Sequence, residues 1–102
     1  MVERNEEGFL IHDQDWDESI AAMIAREESI VLTELHWQLI HFIRHFYQQT
    51  QTIPVTRALI KAINEKHGIN TLNSVKLALM FPKSPTRQLS KIAGLPKPVR
   101  CI

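Results

Sequence analysis

The sequence predicts a mainly α-helical fold: a small helical bundle over residues 1–94, with a short N-terminal β-hairpin and a flexible C-terminal arm over residues 95–102. Three observations carry that expectation. Apolar residues recur at helical spacing through most of the chain, proline and glycine divide it into a handful of such stretches, and the sole cysteine, Cys101, stands beyond the last of them. With 102 residues, 44% of them hydrophobic, the chain suffices for one domain with a modest core.

Residues 2–12, VERNEEGFLIH, place short apolar ends around Glu-Glu-Gly, which predicts a hairpin turning near Gly8. From Trp16 to Glu28 the positions Trp16, Ile20, Met23 and Ile24 fall on one helical face, with Asp15 as the expected N-cap. Thr33 is placed to cap a longer helix over residues 34–50. Leu35, Leu39, Phe42, Ile43 and Phe46 form its main stripe, and Trp37, Ile40 and Tyr47 lie beside it, so this segment is the expected central core helix. Pro54 ends a polar connection, Thr56 opens TRALIKAINEKH with Leu59, Ile60 and Ile63 inward, and Gly68 stops it. A fourth helix is expected from Leu72 to Phe81 on Val75, Leu79 and Met80. After Pro82 and Pro85 a fifth runs from Thr86 to Ala93 and ends at Gly94.

Beyond it the chain reads Gly94, Leu95, Pro96, Lys97, Pro98. Two prolines two residues apart cannot continue a helix, so the segment is expected to be extended. The eight residues from Leu95 to Ile102 would span roughly 25 Å. A buried structural cysteine belongs inside a periodic apolar segment, and Cys101 lies outside one. Its thiol is the one obvious nucleophile. Arg100 beside it and Lys97 four residues before favour the thiolate, modestly in a solvated arm. Two readings stay open, a carrier thiol delivered into another protein's active site and an incidental tail cysteine.

Composition narrows the remaining chemistry. One cysteine forms no internal disulfide and supplies no multi-thiolate zinc site. No stretch of about 18 apolar residues exists, and the acidic first 30 residues lack the basic and apolar regions of a signal peptide, so a cytoplasmic protein is expected. Three glycines leave no phosphate-binding loop. Asp13, Asp15, Asp17 and Glu18 lack the glycine and terminal glutamate of a calcium loop and read as charges at a helix start. His36, His41 and His45 share a helix, but HFIRH sets Arg44 where it repels a cation, so no metal is expected and the three read as partly exposed helix-face histidines.

Charge is segregated. Residues 1–34 carry ten of the eleven acids against two bases, a local charge of −8, whereas residues 35–102 carry +9, with no acid after Glu65. That distribution favours an acidic protein surface or a nucleic acid as partner for the second part, with a solvated basic face as the alternative. The two helices flanking Gly68 have the lengths of a helix-turn-helix, with Asn73, Ser74 and Lys76 as the few side chains suited to reading bases; duplex DNA recognition is therefore an alternative.

IAGLPKPVRCI, FPKSPTRQLSK, HWQLIHFIRHFYQQ, TIPVTRALIKAI and the early EEGFL and DW elements together resemble the DsrC/TusE family of sulfur-trafficking proteins. The resemblance implies a helical bundle with a small N-terminal hairpin and a mobile C-terminal arm, in which Cys101 receives sulfur as a persulfide. It implies no metal and no organic cofactor. Gly94, Leu95, Pro96, Lys97, Pro98 and Arg100 would form the arm and its docking surface. Members that work with dissimilatory sulfite reductase carry a second cysteine where this chain has Ser90, and a hydroxyl cannot close that disulfide. The resemblance is thus to the branch that relays sulfur to the wobble uridine of certain tRNAs. It implies a TusBCD-type donor acting through its TusD cysteine, an MnmA-type thiouridylase with bound tRNA as acceptor, and a carrier monomeric when free. The other outcome is a DsrC-like, non-catalytic partner or regulator in sulfur oxidation or sulfite reduction.

Overall fold

Helix α2 (Glu34–Thr50) starts where Thr33 caps it. The Thr33 hydroxyl accepts from the His36 backbone N–H at 3.4 Å, and His36 Nδ1 accepts from the Thr33 backbone N–H at 3.1 Å. That is a capping box with an imidazole in the place usually held by a carboxylate or amide. Leu39, Ile40 and Ile43 on α2 are fully buried. The computed structural model describes residues 3–68 and 72–97 of the chain. Among them it holds five α-helices: α1 (Glu18–Glu27), α2, α3 (Thr56–His67), α4 (Ser74–Met80) and α5 (Pro85–Ile92).

The core is built by α1 and α2 closing on α5, with α3 and α4 completing the far side. Short as it is, α5 packs against α1, α2 and α4, and Gln88, Leu89, Ser90 and Ile92 are all buried. Its first turn needs partners for free backbone N–H groups, and Ser84 supplies none through its side chain. Gln88 instead ties down the two residues that lead into the helix. Its Oε1 accepts from the backbone N–H of Lys83 at 3.1 Å and of Ser84 at 3.3 Å, while its Nε2 donates to Glu28 at the C-cap of α1. At the end of α3, Gly68 adopts the left-handed conformation, and Asn64 holds the returning chain by bonding both the N–H and the carbonyl of Leu72.

Three expectations need correction. The N-terminal β-hairpin is not found among the described residues: residues 3–11 make a turn with one isolated antiparallel bridge, Arg4 to Leu10, and no strand. Asn5 Oδ1 accepts from the backbone N–H groups of Glu7 and Phe9, which draws them away from any ladder. Phe9 and Leu10 are both buried, and adjacent buried residues do not fit the two-residue alternation of a strand with one wet face. Second, α1 begins at Glu18 with Asp17 as its cap, because Asp13–Asp15 form a separate 3-10 turn, and Ala21 and Ala25 take inward places while Met23 sits at the surface. Third, α4 faces the other way. Leu77 is buried, whereas Val75 and Leu79 are 68% and 76% exposed.

Candidate functional site: the anchored exit of the C-terminal segment

The chain leaves α5 through a Schellman motif. The Gly94 N–H bonds the Lys91 carbonyl at 3.2 Å and the Leu95 N–H bonds the Ser90 carbonyl at 3.0 Å, with Gly94 at φ +74°. The other free carbonyls at this helix end are taken by side chains from distant elements. Trp16 Nε1 donates to the Ile92 carbonyl at 2.8 Å, and Arg44 Nη1 donates to the Ala93 carbonyl at 2.7 Å. The Arg44 guanidinium also lies 4.2 Å from the centroid of the Trp16 ring, within cation–π range. The Ala93 N–H reaches Leu89, so every carbonyl from Leu89 to Ala93 has a partner. The direction in which the chain departs is thereby set by α5, α2 and the segment before α1 together.

Gly94 is required here for two reasons. A side chain strains at its positive φ, and a Cβ added to it would stand 2.5 Å from Trp16 Cδ1. Leu95, the next residue, is 1% exposed and belongs to the core, so the segment expected to be free from position 95 begins with a buried anchor. Pro96 and Lys97 then lie at the surface. Lys97 Nζ is 3.0 Å from Glu7 Oε2, the oxygen that Arg87 also approaches at 3.0 Å. Hydrogen bonds from Lys97 and then Arg87 hold the Glu7 carboxyl below the usual carboxylate range. Pro98, Arg100 and Cys101 lie outside the described residues.

Behind this exit the α1–α5 contact is polar as well as apolar. Lys91 Nζ bonds Glu28 Oε2 at 2.8 Å, and both side chains are largely covered. The hydrogen bond from Lys91, with that from Gln88, lowers the Glu28 pKa from its ordinary value. Ser90 is fully buried, and its hydroxyl has no hydrogen-bond partner among the described residues. Of the histidines, His36 departs from the expected surface position. It is buried against Phe81, its Nε2 donates to the Met80 carbonyl at 3.1 Å, and burial pushes its pKa down, so it is neutral. His41 and His45 remain exposed, and no cluster of three ligating side chains exists among the described residues.

Trp16, Arg44, Glu7 and Arg87 are the members of this site that sequence reasoning missed. Trp16 was legible only as the first apolar position of the expected first helix, and nothing local links it to a carbonyl 76 positions away.

A family model described as DsrC like protein matches residues 1–102. The chain belongs to the DsrC-like family. Within that family it is 50% identical over 101 residues to the sulfurtransferase TusE of Photorhabdus laumondii, an alignment covering 99% of this chain and 91% of that protein. It is 48% identical to the sulfurtransferase TusE homolog of Haemophilus influenzae, over 99% of this chain and 93% of the relative. Among solved DsrC structures, the one from Allochromatium vinosum superposes with a TM-score of 0.89 at 39% identity, covering 99% of this chain and 90% of the other. The oxidized DsrC γ-subunit of dissimilatory sulfite reductase from Archaeoglobus fulgidus gives 0.84 at 33% identity, covering 99% and 92%. The DsrC-like fold is therefore shared along nearly the whole chain.

Proposed function

We propose that this DsrC-like chain is a sulfur carrier in which Cys101 accepts a persulfide sulfur and passes it on, in a relay that ends in 2-thiolation of the tRNA wobble uridine. The observation that carries the reading is the 50% identity, over 99% of the chain, to a protein described as a sulfurtransferase. It is supported by the presence of a single thiol, six residues past the buried Leu95 anchor. Transfer onto the carrier needs no change of oxidation state overall. The Cys101 thiolate attacks the outer sulfur of the donor's cysteine persulfide, an S–S bond forms to Cys101, the donor's S–S bond breaks, and the donor leaves as a thiolate. Thiolate attack explains why a basic neighbourhood, Arg100 in sequence and Lys97 at the exit, suits the role. No metal or organic cofactor takes part in such an exchange.

The donor in this proposal is a TusBCD-type complex acting through its TusD cysteine, and the acceptor is an MnmA-type thiouridylase with its tRNA bound. The setting is cytoplasmic; among the described residues no helix is long and apolar enough to cross a membrane. From Leu95 the chain to Cys101 extends at most about 20 Å, enough to enter a partner's cleft while the bundle stays outside. Two-thiol chemistry of the kind that joins a second cysteine to the terminal one is not available among these residues, because Ser90 stands at that position. Duplex DNA recognition is disfavoured because the exposed side of α4 sets the apolar Val75 and Leu79 among Ser74 and Lys76, and Asn73 spends its side-chain oxygen on the Lys76 backbone N–H.

The test is intact-mass analysis after incubation with a persulfide-loaded donor. Wild-type protein gains about 32 Da, one sulfur, and Cys101→Ser gains nothing. Sulfur uptake by Cys101→Ser equal to wild type overturns the proposal.

A further inference from the structure

Val75 and Leu79 repeat at the spacing of a core-facing pair, yet both point to solvent. Beside them Val31, in the connection between α1 and α2, is 83% exposed, so three of the six exposed large hydrophobic residues among those described gather at one place. They flank a groove of about 630 Å³ whose floor is Ile30, His36 and Met80. The floor is chemically quiet, because the His36 ring spends its nitrogens on Thr33 and the Met80 carbonyl. Among the described residues, the one charged side chain lining the groove is Lys76.

We propose that this groove is a docking site for an amphipathic helix of a transient protein partner, its apolar stripe against Val31, Val75 and Leu79 and an acidic side chain opposite Lys76. The inference rests on the carrier reading above, and names how one of the relay proteins would hold the bundle while Cys101 reacts elsewhere. Apolar residues left in water at core spacing suit a surface that is covered part of the time. The sign of the partner's charge follows from Lys76, the charged side chain that lines the groove. A second copy of this chain fits poorly. A stable dimer buries about 800 Å² per partner, whereas α4 has seven residues and is about 10 Å long. A symmetric contact would also set Lys76 against its own copy.

The experiment compares wild type with Val75→Ser/Leu79→Ser, and with Val55→Ser as a control at an exposed valine outside the groove. Sulfur transfer onto Cys101 from the purified persulfide donor protein, and from Cys101 to the purified acceptor with its tRNA, is followed by intact mass against partner concentration. Loading by inorganic polysulfide serves as a reaction that needs no docking. The expected result is a rise of about tenfold in KM for at least one protein partner, kcat within twofold, polysulfide loading unchanged, and Val55→Ser like wild type. Lys76→Glu is expected to raise the same KM at low salt, with the difference shrinking at high salt. Unchanged KM for both partners overturns the proposal. So does a concentration-dependent dimer, or duplex DNA binding, that the double variant abolishes. Failure of wild-type Cys101 to take up sulfur from polysulfide and donor alike would instead remove the carrier reading beneath it.

Discussion

Gly94 is the residue on which the exit geometry turns, and its role separates into two physical parts. The left-handed backbone costs a side chain about 1 kcal/mol or somewhat more, and the collision with Trp16 adds the loss of the indole's bond to the Ile92 carbonyl. Gly68 shares the first part without the second, since a Cβ there meets nothing within 4 Å. Gly94→Ala is therefore expected to lower unfolding free energy by about 2–4 kcal/mol and Gly68→Ala by about 1 kcal/mol, measured by urea denaturation. Equal losses at the two sites would mean that the Trp16 contact contributes nothing. The same scale explains why Arg44 escaped notice in the sequence. It reads there only as a charge between two histidines, and its use as a cap for Ala93 depends on α2 and α5 crossing, which no local pattern encodes.

At the scale of elements, what was legible was what local chemistry dictates. Thr33 reads as a cap because a side-chain oxygen there meets the free N–H groups of the first turn, and the helix it opens runs over the expected residues 34–50. Thr33→Ala is expected to cost about 1 kcal/mol by thermal or urea unfolding, while leaving sulfur uptake at Cys101 unchanged. Gly68 and Gly94 likewise read correctly as helix stops, and α3 opens at Thr56. What was not legible came from competition between equivalent local patterns. In α4, Val75 and Leu79 offer one apolar face and Leu77 another, and two turns of helix are too short for periodicity to choose between them. Packing against α3 and α5 chose Leu77. Near the N-terminus, the side chain of Asn5 supplied bonds that the hairpin expectation had assigned to backbone pairing.

Over the whole molecule, the segregated charges meet across the fold. Acids of the N-terminal part pair with bases of the C-terminal part at Glu28 with Lys91 and at Glu7 with Arg87 and Lys97. Among the groups whose folded pKa values are depressed, the well-covered His36 and Glu28 shape the acid response most. Burial lowers His36 from its ordinary 6.5, so its neutral form stabilises the fold above that value and the contribution is lost as pH falls below it. Glu28, lowered from 4.5 by Lys91 and Gln88, contributes above that value and is lost as pH falls through its folded pKa. Thermal unfolding followed from pH 7.5 to 3 should show the midpoint falling first below about pH 6.5 and again below about 4.5, with His36→Asn removing the upper step. A flat midpoint between pH 7 and 5 in wild type would contradict the buried neutral imidazole. The central claim concerns the thiol beyond this anchored exit, and intact-mass analysis tests it most directly: after exposure to a persulfide-loaded donor, one added sulfur of about 32 Da located on Cys101 is the predicted result, whereas no added mass, or added mass that survives Cys101→Ser, would contradict it.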